Sequence, residues 1–267
     1  MFTILKYTLF VLMGLWLLNL PLAMMAQNFL VFHPKKLANN HLFKLDSPYE
    51  EFFLRVSGGD TINALLVKSP LQPSKGVVLY FHGNADNLER WANYHTDMTA
   101  RGYDFFAMDY RGYGKSTGKP KEQHMYEDAR FCYDFLQNKY PPEDIIIYGR
   151  SLGTGIAAKL ATEVTAKCLI METPYNSINF VIARHIFMHS LPFPLQFHFQ
   201  TVGYLSAISY PILAMHGTAD KIIPYSCAAS IIPHLRDKDR FITIPGGTHK
   251  NLSDFPAFQE ALDELLR

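Results

Sequence analysis

Residues 144–161 read DIIIYGRSLGTGIAAKLA and constrain the fold more than any other stretch of the chain. A buried β-strand pattern, Asp144 to Tyr148, runs into a glycine-flanked turn and then into a helix of Ile, Ala, Leu and glycine. A strand that is apolar at successive positions is buried on both faces. The helix that follows after only a short turn must therefore pack back onto the same sheet. An α/β architecture meets both demands.

The rest of the chain keeps to that plan. Runs at 51–56 and 61–68 flank Ser57-Gly58-Gly59-Asp60, which predicts an antiparallel hairpin at a sheet edge. Gly76 to Gly83, GVVLYFHG, reads as a doubly buried strand. A helix is expected over 87–101, a strand over 103–109, a glycine-rich loop over 111–118, and a helical stretch after Pro120 to about Tyr140, stopped by Pro141-Pro142. Strands at 167–171, 211–216 and 240–244 alternate with helices at 226–235 and 253–266, and an irregular aromatic region fills 173–209. Such alternation predicts a mostly parallel central sheet with helices on both faces. No linker splits it. With 267 residues, 48% of them hydrophobic, one catalytic domain over 29–267 is expected, with a lid at about 173–209 and a separate segment at 1–28.

Segment 1–28 carries no charge over 8–26, TLFVLMGLWLLNLPLAMMA, between Lys6 and Lys35. About 20 apolar residues suffice for a membrane span. A signal peptide wants small residues before its cut, and Ala23 and Ala26 supply them only loosely, with Met24 in the third place before it. A single amino-terminal anchor is expected, and a secreted protein if the segment is cleaved. The formal charge of +1 gives no electrostatic footprint for nucleic acid. Cys132, Cys168 and Cys227 are odd in number and widely spaced, so they read as buried thiols. No cofactor is implied. His185 and His189 have i, i+4 spacing, but Ile186 stands where the metalloprotease helix needs Glu.

The chemistry concentrates at Gly149-Arg150-Ser151-Leu152-Gly153, a G-x-S-x-G turn in the strand–turn–helix setting that such a nucleophile requires. A serine hydroxyl needs a neighbouring base held in one tautomer by a carboxylate. Beyond Ser151, two turns that follow apolar strands offer Asp220, in His216-Gly217-Thr218-Ala219-Asp220, and His249, in Gly246-Gly247-Thr248-His249. Glu172, at the end of the preceding strand, is the rival acid. His185, His189, His198 and His234 lack a strand-end position. For the negative oxygen of a tetrahedral intermediate, the main-chain amides of Leu152 and Asn84 are the candidate donors, with Ala85 the neighbouring alternative. Asn84 or Asp86 could equally cap the following helix. Arg150 reads as a packing or pairing residue of the turn.

These motifs, HGNADN at 82–87, DYRGYGKSTG at 109–118, GRSLG at 149–153 and HGTAD at 216–220, resemble those of the α/β-hydrolase superfamily, and within it the BEM46-like and ABHD17-like branch. The resemblance covers about 50–266 and implies esterase, thioesterase or protein-depalmitoylase chemistry. The cysteine-rich amino terminus of the ABHD17-like proteins is absent. Together the readings predict a serine hydrolase that cleaves carboxylic esters or thioesters of an apolar, lipid-like or small-molecule acyl group through an acyl-enzyme. An amide or peptide hydrolase and a hydrolase-fold binding protein without turnover are the alternatives. The aromatic residues of 173–209, Phe193 and Phe197 among them, either complete the core or roof the serine and receive the acyl chain.

Overall fold

The computed structural model describes residues 2–185 and 196–267, with side chains left out at 2–5, 9, 12, 19–26, 30, 183 and 185. In chain order the strands are β1 His33–Pro34, β2 Tyr49–Arg55, β3 Thr61–Val67, β4 Gly76–Phe81, β5 Ala85–Asp86, β6 Tyr103–Met108, β7 Ile145–Arg150, β8 Cys168–Glu172, β9 Ile212–Gly217 and β10 Arg240–Ile244. The helices are α1 Phe2–Val31, α2 Leu88–Trp91, α3 Thr96–Thr99, α4 Glu122–Gln137, α5 Leu152–Ala161, α6 Ile178–His185, α7 Thr201–Leu205, α8 Tyr225–Ala229 and α9 Pro256–Leu265.

Alternation along the strands decides where the two cores lie. In β4, Val77, Leu79 and Phe81 enter one core while Val78 and Tyr80 enter the other. In β7, Ile145 and Ile147 join the first and Ile146 and Tyr148 the second. Successive side chains of a strand point to opposite faces, so a run apolar at every position fits only between two helical layers. Helices α4 and α5 cover the first face through Met125, Tyr133, Leu136, Ile156 and Leu160, and α2, α3 and α9 cover the second through Trp91, Met98, Phe258 and Leu262.

The central sheet has the order β10-β9-β8-β7-β4-β6-β3-β2. β2 and β3 form the expected antiparallel hairpin at one edge, β3 is antiparallel to β6, and every other neighbouring pair is parallel. This is the α/β-hydrolase fold, with β7 near the middle and its carboxyl end opening on the loops after β4, β8, β9 and β10. A second, two-stranded sheet, β1 beside β5, has no counterpart among the strands expected from the sequence.

Two expected helices are broken. The 87–101 helix becomes α2, a 3₁₀ turn over Ala92–His95, and α3. The Trp91 indole reaches back to donate to the Ala85 carbonyl at 2.6 Å, which ties the first turn to the loop before it. The 226–235 helix stops at Ala229 and gives way to a 3₁₀ turn over Ile232–His234. Pro233 has no amide to continue the helical ladder. The three cysteines are buried and free.

The amino-terminal segment folds as one 30-residue helix, α1, with Phe10, Val11, Leu17, Leu18 and Phe29 exposed. Among the described residues, which leave out the side chains of 19–26, no helix is long and apolar enough to cross a membrane.

Candidate active site

Ser151 stands between the last residue of β7 and the first of α5, with φ 52° and ψ −121°. For a residue with a β-carbon such a conformation costs on the order of 1–3 kcal/mol and persists only when its surroundings enforce it. The Ser151 amide donates to the Glu172 carbonyl of β8 at 2.9 Å, and the Thr154 amide and hydroxyl both donate to the Ser151 carbonyl, at 2.9 and 2.7 Å. Close approach of α5 to β4 completes the clamp. A β-carbon added at Gly153 would sit 2.0 Å from the Phe81 carbonyl oxygen, so a side chain there would lever the helix away from the sheet.

The loops after β9 and β10 bring Asp220 and His249 to this turn. His249 Nδ1 lies 2.7 Å from Asp220 Oδ2, and His249 Nε2 lies 3.1 Å from Ser151 Oγ. With the Nδ1 proton donated to the carboxylate, Nε2 is left to accept from the serine hydroxyl. Asp220 Oδ1 accepts from the amides of Ile222 and Ile223, at 2.8 and 2.9 Å, which fixes the carboxylate's orientation. Burial alone would raise the Asp220 carboxyl. The His249 contact, the Ile223 amide and nearby His216 outweigh it and hold the group below its ordinary value. The two loops also hold each other: the Ala219 amide donates to the Gly247 carbonyl at 2.9 Å, and the Gly246 amide to Thr218 Oγ1 at 2.9 Å.

Of the expected oxyanion donors, Leu152 begins α5 directly after the serine, and Asn84 lies in the loop between β4 and β5. A β-carbon at Gly83 would come 3.6 Å from Ser151 Cβ, which measures how near that loop passes. Neither Asn84 nor Asp86 caps the next helix. Asn87 does so, its side chain accepting from the Glu89 amide at 2.9 Å. Asp86 instead pairs with Lys35 and Arg90.

Glu172 is engaged elsewhere. It pairs with Arg150 at 3.3 Å and accepts from the Tyr148 hydroxyl at 2.8 Å. Arg150, 1% exposed, lies over the Tyr94 ring at 4.2 Å and donates from Nη2 to the His249 carbonyl at 2.9 Å. It thus links the residue before the serine to the backbone of the histidine. Packing and pairing at the turn, the roles expected of Arg150 from the sequence, leave out this reach to the histidine. The available signal is an arginine in a strand otherwise buried on both faces, which obliges it to find carboxylate and carbonyl partners inside.

The tyrosines of DYRGYGKSTG are engaged here as well. Tyr110 donates to the His82 carbonyl at 2.7 Å and Tyr113 to the Asn84 carbonyl at 2.8 Å, so this loop buttresses the one carrying Asn84.

The competing histidines lie apart from this cluster or outside the described residues. His198 is exposed beside Asn179, and His234 sits in the 3₁₀ turn after α8. His189 and the His185 side chain lie outside the described residues. Among the described residues no group of three or more histidine, cysteine or carboxylate side chains is placed to hold a metal ion.

In the aromatic region, Tyr175 and Phe199 are fully buried and Phe197 nearly so, packed with the first core. They complete that core, while Phe193 lies outside the described residues. A groove of about 480 Å³ opens beside Phe197, lined also by Asn28, Lys121, Tyr126 and Gln196, and none of Ser151, Asp220 and His249 lines it.

Residues 72–198 match the family model described as serine aminopeptidase, S33. That stretch contains Asn84, Ser151 and Leu152 and ends before Asp220 and His249. Human alpha/beta hydrolase domain-containing protein 17B is 28% identical over 224 residues, 81% of this chain and 75% of that protein. Mouse protein 17C is 26% identical over 223 residues, again 81% of this chain and 67% of that protein. In fold, the Pyrococcus furiosus esterase Pf2001 aligns with a TM-score of 0.71 at 18% identity, over 88% of this chain and 97% of that one. An alpha-beta hydrolase from Vibrio vulnificus aligns at 0.67 with 21% identity, over 81% of both chains. With a central sheet of this order the chain has the α/β-hydrolase fold, and over 81% of its length it is similar in sequence to alpha/beta hydrolase domain-containing proteins 17B and 17C.

Proposed function

We propose that the protein is a serine hydrolase of carboxylic esters or thioesters, with Ser151 as nucleophile, His249 as base and Asp220 as the orienting acid. One observation carries this reading: the unbroken path from Asp220 Oδ2 through both ring nitrogens of His249 to Ser151 Oγ, at 2.7 and 3.1 Å. As Ser151 Oγ attacks the substrate carbonyl carbon, its proton passes to His249 Nε2, and Asp220 stabilises the resulting imidazolium. The carbonyl oxygen, now negative, takes hydrogen bonds from the Leu152 and Asn84 amides. Collapse expels the alcohol or thiol, which leaves with the proton from Nε2, and an acyl-serine remains. Water then repeats the sequence with His249 as base and releases the acid.

The acyl group is apolar, a reading supported by the density of large apolar residues over 173–209 in the sequence. Residues 1–28 attach the chain to a membrane and 29–267 form the catalytic unit. The uncharged run over 8–26 and the exposed apolar side chains of α1 support this division. A peptide substrate is the second reading, favoured by the description of the matching family model.

A fluorophosphonate probe tests the proposal, run beside p-nitrophenyl esters and an aminoacyl p-nitroanilide. Labelling and ester turnover that vanish together in Ser151→Ala are expected. An unlabelled wild-type chain, or a Ser151→Ala variant of full activity, overturns the assignment, and turnover of the anilide alone selects the peptide reading.

A further inference from the structure

The 82–87 loop, which in the proposed mechanism holds one oxyanion donor, is bound on its outer side by the exit of the amino-terminal helix. The Asn84 side chain donates to the Val31 carbonyl at 3.1 Å, and the Asn84 carbonyl accepts from the His33 amide at 2.9 Å. β1 then runs parallel to β5, with His33 opposite Ala85 and Pro34 opposite Asp86. Beyond the pair, the Lys35 amide donates to the Asp86 carbonyl at 3.2 Å, the Asn87 side chain donates to the Lys35 carbonyl at 3.0 Å, and the Lys35 ammonium pairs with the Asp86 carboxylate. Four successive residues of the loop, Asn84 to Asn87, are therefore engaged by residues 31–35.

The same stretch is fixed at both ends. Phe32, 3% exposed, packs edge-to-face on Phe197 at 4.7 Å between ring centres and contacts Phe199 at 6.4 Å. Gln27 accepts from the Gln196 amide at 2.8 Å. On the other side, the Gly114 amide donates to the Lys35 carbonyl at 3.0 Å and the Leu37 amide to the Gly114 carbonyl at 3.0 Å. Lys36 donates to the Ser116 carbonyl at 2.7 Å. Residues 31–37 thus lie between the loop that carries Asn84 and the loop that buttresses it.

We infer that residues 31–36 are a positioning strap for the oxyanion loop, so that the direction of the Asn84 amide depends on where the end of α1 is seated. This rests on the serine-hydrolase reading above. A loop between two strands keeps considerable freedom unless its own carbonyls and side chains are satisfied. Here the partners come from a segment more than 45 residues earlier in the chain, which is also the only covalent link between α1 and the catalytic unit. A catalytic group displaced by about 1 Å loses on the order of 100-fold in rate. Movement of the strap would therefore appear in kcat with little change in KM, since it alters the stabilisation of the developing negative charge and leaves the binding of the substrate's acyl group untouched.

The test uses the full chain with three substitutions, each assayed with a small soluble ester and corrected for the fraction of sites that a fluorophosphonate titrates to completion. Phe32→Ala removes the strap's anchor on Phe197, and Asn84→Ala removes its side-chain bond to Val31 while keeping the loop's main-chain amide. Phe258→Ala, in α9 on the opposite face of the sheet, opens a comparable cavity far from the strap. Phe32→Ala and Asn84→Ala are expected to lower kcat about 10- to 100-fold at near-constant KM, and their combination should fall well short of the product of the two losses. Phe258→Ala should lower the melting temperature without that loss. Unchanged kcat in folded Phe32→Ala and Asn84→Ala, or an equal loss in Phe258→Ala, overturns the strap. Failure of the underlying reading is distinct: the unsubstituted chain would then not turn over the ester, or Ser151→Ala would.

Discussion

The two carboxylate oxygens of Asp220 act separately, Oδ1 taking two amides and Oδ2 taking the His249 ring. Asp220→Asn keeps the shape but offers the ring an amide that can hold the wrong tautomer, so kcat should fall by about 10⁴. Ser151→Ala and His249→Ala should cost as much or more, with little further loss in the double variants. Glu172→Gln should cost far less in steady-state assays, because Glu172 faces Arg150 and Tyr148; the reverse ranking would reassign the acid. Arg150→Met should lower kcat about 10- to 100-fold by freeing the His249 backbone. It should also destabilise the chain by roughly 3–5 kcal/mol, because Glu172 is left buried and unpaired. Adding Glu172→Gln to Arg150→Met should recover much of the melting temperature but not the rate. Recovery of both would make Arg150 a purely structural residue.

Among the elements, the roles proposed for α1 in attachment and for the aromatic region in selectivity can be tested separately. A chain starting at Asn28 loses most of α1, Gln27 included, but keeps the strap at 31–36 and its Phe32 anchor on Phe197, so it should leave the membrane fraction and still hydrolyse a small ester. Full-length protein found wholly in the aqueous fraction at its unprocessed mass would sink the attachment reading. For the aromatic region, kcat/KM should rise from p-nitrophenyl acetate toward medium-chain esters, each buried methylene adding roughly 0.8 kcal/mol until the pocket is full. Because Phe197 is packed on Phe32, Phe197→Ser should lower stability as well as flatten the trend, and Phe193→Ser should flatten it if the segment receives the acyl chain. A steady preference for acetate in wild type would leave the region as core alone.

For the whole molecule, acid stability depends on carboxylates the fold holds ionised. Asp239 is one such group away from the serine. Its oxygens accept from the Ile212 amide at 3.0 Å and from the Arg236 amide and guanidinium at 2.8–2.9 Å. Arg236 in turn donates to the carbonyls of Ile208 and Tyr210, so the pair pins the entry to β9. Burial would raise the Asp239 carboxyl, but these bonds outweigh it and lower it from 3.8. A depressed carboxyl contributes stability that is full above its unfolded value and is lost as pH falls through its folded value. Urea unfolding should show wild type more stable than Asp239→Asn by roughly 1–3 kcal/mol near neutrality, with the gap closing below about pH 4. A gap that persists at pH 2 would mean that the bonds do not require the charge.

Much of this protein is legible from its residues in order. The strand patterns at 76–83 and 144–148 need only the fact that alternate side chains face opposite ways, and the resulting burial on both faces dictates helices above and below the sheet. Ser151 follows from the same local logic, because its turn joins two elements adjacent in sequence. Asp220 and His249 are inferred from strand-end positions in the correct order, since loops after parallel strands converge on one edge. Other features require the tertiary structure, because they depend on which distant carbonyl or carboxylate comes within about 3 Å, and no local pattern encodes that. Arg150 reaching the His249 backbone across 99 residues, Glu172 committed to Arg150 rather than to the histidine, and residues 31–36 seated on the loop at 84–87 are all of this kind. The break after Ala229 lies between the two: Pro233 is visible in the sequence, but how far a helix survives before a proline is settled by the packing around it.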